Sequence, residues 1–167
     1  YDAGEAWHLL DQRYGMTVTK VEAVNIGRYN LDKYNVIVMV DGSYNTINAG
    51  GIEKLKQWTG EGGTLIAMEG AVQWLKNAGL AHVKWWEEKP EGDKKQPRKA
   101  YDQLSLEAGV RSISGAIFEA EGDLTHPLLY GFRRNKLAVF RRGAFFMEHA
   151  QNTFATHLVH PASPLLR

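Results

Sequence analysis

The stretch Gly62-Gly63-Thr64-Leu65-Ile66-Ala67-Met68-Glu69-Gly70-Ala71-Val72-Gln73-Trp74-Leu75-Lys76-Asn77-Ala78-Gly79-Leu80 decides how this chain is read. Two glycines end a helix. A short apolar strand runs from Thr64 to Met68. A tight turn at Glu69-Gly70 opens the next helix, and Gly79 stops it. Many α/β enzymes mount a nucleophile on such a strand, sharp turn and helix. This turn offers Met68, Glu69 and Gly70, and neither Cys nor Ser.

Upstream, Val36-Ile37-Val38-Met39-Val40 is β-rich and apolar at every position, the pattern of a parallel strand buried on both faces. It runs into Asp41-Gly42-Ser43-Tyr44-Asn45, a loop at the strand's carboxyl end, where open α/β sheets bind ligands. Ile52, Leu55 and Trp58 then recur at helical spacing, with Glu53, Lys54, Lys56 and Gln57 outside. Strand–helix–strand–helix alternation from Val36 to Leu80 predicts a parallel sheet with helices on both faces.

Before it, Tyr1 to Gly15 reads as a helix with Trp7, Leu10 and Tyr14 on one stripe, Asp2 as N-cap and Gly15 as C′ residue. Met16 to Ala23 alternates and predicts a strand towards an edge. A helix at residue 2 is an unusual opening for such a domain, so a first strand preceding Tyr1 is expected. Downstream, Glu87 to Lys99 is almost all charge with two prolines. It predicts a solvated loop at about 87–100, with a phosphate site as the minor alternative. Further elements are a short helix over Tyr101–Ala108 and strands over Ile113–Ala120 and Lys136–Arg141. Another strand is expected at Ala144–Met147. Leu165-Leu166 beside the terminus leads us to expect that the fold continues past Arg167. The expected architecture is α/β, three-layer, with a mostly parallel, flavodoxin-like sheet. It forms a single domain over 1–167, lacking its first strand and its C-terminal part.

The composition narrows function by exclusion. A chain of 167 residues, 44% hydrophobic and 23% charged, can build a real core. A net charge of +1 points neither to nucleic acid nor to a membrane surface. No apolar run approaches the roughly 20 residues of a membrane span. The chain has no cysteine, which excludes disulfides, Cys-ligated zinc and thiol catalysis within it.

Candidate chemistry gathers at the predicted carboxyl edge. Glu69 sits where a helix dipole favours a carboxylate, and equally where a ligand could be met. The Gly70 backbone could bind a small anion, and Met68 is most simply core. Asp123 and His126-Pro127 are two thirds of a hydrolase triad without a nucleophile. The plainer alternative is that Asp123 or Thr125 caps a turn while His126 bonds to backbone. The candidate pocket is therefore Asp41, Gly42, Met68, Glu69, Gly70, Asp123 and His126, with no catalytic or metal assignment. His8 with Asp11, and His149, His157 and His160, are weaker metal candidates. Trp74, Trp85 and Trp86 are either packing residues or a sugar-stacking surface.

Taken together, the Val36–Gly42 strand and turn, the Gly62–Ala67 strand and the Gly70–Leu80 helix resemble the class I glutamine amidotransferase-like domains. Asp123…His126-Pro127-Leu128…Tyr130-Gly131 looks like the His-Pro loop of that group. Tyr1–Trp7, Ile113–Ala120 and Asp123–Leu128 more closely resemble the amidotransferase-like C-terminal domains of secreted bacterial zinc carboxypeptidases of the carboxypeptidase A type. The likeness covers nearly the whole chain, and its motifs are structural rather than catalytic. It implies a non-catalytic accessory domain, secreted or periplasmic. Its partner would be an N-terminal peptidase domain of the same polypeptide, and the zinc would lie in that domain. Two departures bear on this. The position matching the family's Cys nucleophile is Met68, or Glu69 if the register slips by one, so amidotransferase chemistry is excluded. No His is followed three residues later by Glu, as the peptidase zinc site requires. The competing expectations are a small-molecule or carbohydrate-binding domain, or a hydrolase with an unorthodox Glu69/His126 site.

Overall fold

A computed structural model describes residues 1–86, 100–110, 113–143 and 145–159. The charged 87–99 stretch with its phosphate alternative, Ala144, His160 and the tail lie outside the described residues. The chain divides into two compact units, Tyr1–Val83 and Lys84–Arg167.

In the first unit, helix α1 (Asp2–Trp7) runs into a π-helical turn, His8–Arg13. Asp2 is therefore inside the first turn, and the N-cap place falls to Tyr1, whose side chain makes no capping bond. Gly15, at φ 65°, ends the segment as expected, and the Met16 N–H reaches back to the Leu10 carbonyl at 2.9 Å. The strand expected at Met16–Ala23 does not form. Residues 15–22 carry no regular structure, and Ala23–Arg28 is a 3₁₀ helix. Alternation alone only requires an extended chain with one buried side. Val21 and Ala23 satisfy it by packing on the core without joining a ladder.

Strands β1 (Val36–Met39) and β2 (Thr64–Ala67) pair in parallel, with Val36 opposite Thr64 and Met39 opposite Ala67. Between them runs α2 (Ala49–Gly60), and after β2 comes α3 (Gly70–Asn77). Asn48 caps α2 by accepting the Gly51 N–H at 2.9 Å. A Cβ on Gly51 would lie 2.8 Å from Ile47 and 2.9 Å from Ile26, so its bare backbone lets the 3₁₀ helix sit against α2. Met39, Leu55, Trp58, Ala71 and Leu75 meet in one core with Ile26, Leu31 and Ile47. Alternation from Val36 to Leu80 is thus as expected, but burial of β1 on both faces is not. Val36 and Val38 are 45% and 38% exposed, because the core covers only the Ile37/Met39 side.

In the second unit, α4 (Gln103–Val110) starts two residues later than read from the sequence. Strand β3 (Ile113–Gly122) pairs antiparallel with β4 (Lys136–Gly143), and its far end pairs antiparallel with β5 (Leu158–Val159). Both long strands were expected, but within a mostly parallel sheet. Residues 123–135 between them contain only one 3₁₀ turn, Pro127–Leu129, and lack the crossover helix that usually joins parallel neighbours. The Ala144–Met147 expectation reduces to a single bridge, Met147 to Trp85. The architecture is mixed α/β, with a small parallel sheet and a separate antiparallel one.

Candidate functional site

The β2–α3 junction carries the conformational outlier of the described chain. Glu69 has φ 48° and ψ −117°, the only positive φ among its non-glycine residues. The Met68 N–H continues the ladder to the Met39 carbonyl at 2.9 Å. The Ala71 N–H then closes back on the Met68 carbonyl at 3.0 Å, making Met68–Ala71 a tight turn with Glu69 at its second position. These angles are those of a type II′ turn, whose second residue is ordinarily glycine. Glu69 is thus held in a conformation that costs a residue with a Cβ on the order of 1–3 kcal/mol. Of Met68 and Glu69, it is Glu69 that carries the strained backbone at this turn. Nor is Met68 core, at 41% exposed.

Asp41 explains how the turn is held. Its Oδ1 accepts the Gly70 N–H at 2.9 Å, so a carboxylate from the loop after β1 caps the helix that follows β2. Glu69 makes no side-chain capping bond to α3. A Cβ on Gly70 would stand 2.7 Å from that Asp41 oxygen, which is why glycine belongs there.

Beside the turn lies a cleft of about 190 Å³, lined by Gly42, Ser43, Tyr44, Asn45, Gly70, Gln73, Trp74 and Asn77. The Tyr44 ring tilts against Trp74 at 5.8 Å. Its hydroxyl donates to the Val40 carbonyl at 2.7 Å, which fixes the loop after β1. Burial raises the Tyr44 pKa, and the Asp41 charge raises it further, so the phenol stays protonated and remains a donor. Gln73 Nε2 donates to Asn77 Oδ1 at 2.9 Å, an i,i+4 pair along one face of α3. Of this lining, the sequence pointed to the Gly42–Asn45 loop, Gly70 and Trp74, and missed Gln73 and Asn77. The Gln73–Asn77 spacing, in register with Trp74, was the signal available.

The remaining pocket candidates belong to the second unit. Asp123 Oδ1 accepts both the backbone N–H and the hydroxyl of Thr125, at 2.9 and 2.6 Å. Those bonds, hydroxyl first, hold its carboxyl below the usual range. His126 Nδ1 accepts the Leu128 N–H at 3.2 Å, capping the Pro127–Leu129 turn. The capping alternative is therefore what both residues do. Within the first unit the structure brings Asp41, Gly42, Met68, Glu69 and Gly70 together, and within the second it places Asp123 and His126 in one turn.

Among the other candidates, His8 is exposed and Asp11 accepts from Gln12 Nε2 at 3.0 Å. No group of three His, Asp or Glu side chains among the described residues is placed to hold a metal ion. Trp85 is half-buried against Phe145, and Trp86 is 57% exposed with its ring edge-on to Phe146. No helix of the described residues is long and apolar enough to cross a membrane. Comparison with protein-family models, with curated proteins and with solved structures gives no match.

Proposed function

We propose that this chain is a non-catalytic accessory domain of a secreted zinc carboxypeptidase of the carboxypeptidase A type. Its finer architecture would be the three-layer, flavodoxin-like fold of the class I glutamine amidotransferases. The observation that supports this most is Glu69 at φ 48° on the β2–α3 turn. An elbow geometry there holds a carboxylate, with no thiol anywhere in the chain. A carboxylate can bind or cap, but it cannot do the thiolate chemistry of the amidotransferases. The zinc of the parent enzyme belongs to an N-terminal peptidase domain, since no His-x-x-Glu pair occurs here.

The test is peptidase turnover of the full-length protein carrying Glu69→Ala or His126→Ala. The expected result is turnover within a few-fold of wild type. A loss of orders of magnitude with the fold intact overturns the accessory assignment. The reading frame upstream of Tyr1 gives an independent check, since it should encode a His-x-x-Glu…His domain.

A second reading, a domain that binds a small polar molecule, is favoured by the Tyr44–Trp74 cleft with its three side-chain amides. Amide chemical-shift changes in Gly42–Asn45 and Gln73–Asn77 on adding amino acids or short oligosaccharides, abolished by Trp74→Ala, would support it. No change with either class would count against it.

A further inference from the structure

We infer that the stacked pair His126–His157 is an acid-opened latch that holds the Pro127–Leu129 turn and strand β5 against the end of β3. His126 Nδ1 accepts the Leu128 N–H at 3.2 Å, which requires a lone pair on that nitrogen. A neutral imidazole with its proton on Nε2 has one, and an imidazolium has none. The cap therefore exists only while His126 is neutral. Once the ring is protonated, Nδ1–H meets the Leu128 N–H, two donors face to face.

The second element is the ring of His157, stacked on that of His126 with centroids 4.5 Å apart and planes 14° from parallel. Neutral rings pack well in this way. Two imidazolium rings at this separation repel. Among the described residues, Asp123 is a charged group that interacts with the pair: its carboxylate favours a protonated His126 and is itself engaged by Thr125. Asp123 thus moderates the switch without supplying an acceptor to replace the lost cap.

The third element is what the turn carries. Leu129 is buried at the end of β3. A Cβ on Gly122 would lie 2.7 Å from Leu129 and 3.6 Å from both Leu137 and Leu158, so these three leucines close over the bare Gly122 backbone. The His157 carbonyl accepts the Asp123 N–H at 3.0 Å, and the next residue, Leu158, pairs with Gly122. Cap, ring stack, leucine plug and short strand share the same few residues. Protonation of His126 removes the cap's acceptor, so acidification loosens all four together.

The experiment is amide hydrogen exchange of the full chain at pH 7.5 and pH 5, corrected for intrinsic rates, with imidazole nitrogen NMR. At pH 7.5 His126 should show the Nε2–H tautomer. Between the two pH values, the amides of Leu128, Leu129 and Asp123 should lose protection on the order of tenfold, the scale of a lost cap. His126→Asn keeps a capping oxygen that does not titrate, and should hold those amides protected at both pH values. An Nδ1–H tautomer at pH 7.5 overturns the inference. So does equal acid-induced loss in wild type and His126→Asn.

Discussion

Replacing Glu69 by glycine should stabilise the first unit, although it removes a side chain. The type II′ turn at Met68–Ala71 places Glu69 at φ 48° and ψ −117°, a region that glycine enters freely. Relief of that strain is worth about 1–3 kcal/mol. Against it stands the greater freedom of glycine in the unfolded chain, roughly 0.4–1 kcal/mol. Glu69→Gly also removes whatever the carboxylate contacts, so comparison with wild type mixes two effects. Glu69→Ala removes the same contacts and keeps the strain. The difference between the two variants isolates the backbone term, with glycine ahead by about 1 kcal/mol, the centre of the net. Urea unfolding of the full chain followed by tryptophan fluorescence measures it, since Trp58 is only 5% exposed in this core. In a thermal melt the same difference is about 4–8 °C for a unit of this size. An alanine variant as stable as the glycine variant would refute the strain argument, and with it the reading of this turn as an elbow. Under the proposed function, a glycine variant that is more stable and whose full-length protein also retains peptidase turnover would show that Glu69 is kept for neither stability nor catalysis.

Asp41→Ala should cost about 1 kcal/mol by leaving the Gly70 N–H without its cap, and Asp41→Asn should recover most of it; urea midpoints decide. Gly63→Ala places a Cβ into the indole of Trp58, which is buried, and should cost on the order of 1–3 kcal/mol through overpacking. Gly62→Ala, with open space but φ 104°, should act through backbone strain instead. Leu55→Ala, at 1% exposed, should cost roughly 2–5 kcal/mol in the same assay. Asp123 gives a pH prediction. Its folded pKa is depressed by Thr125, so its stabilising contribution is complete above the ordinary carboxylate value of about 3.9 and is lost as pH falls through the lower, folded value. Thr125→Val should raise the Asp123 carboxyl titration seen by carbon NMR, and an unchanged titration would contradict the assigned cause.

The division between sequence and tertiary structure follows from how far each interaction reaches. Local chemistry sufficed for α2, β2, α3 and their stop signals. Asn48 accepts from Gly51, three residues on, and Gly79 at φ 70° ends α3 while the Leu80 N–H returns to the Leu75 carbonyl. The same holds for the Asp123 and His126 caps, each closed within two residues. Pairing is not local. Met16–Ala23 has the alternation of a strand, but whether it pairs depends on an available edge, and Val21 found the core instead. Nor does apolar content say which way β3 and β4 run, because an inward face with period two serves either direction. The candidate site shows the same limit most clearly. That the turn after β2 bears Glu69 and Gly70 was plain from the residues. That Asp41, 29 positions earlier, caps the helix there, and that Glu69 carries the backbone strain, required the two strands to be side by side.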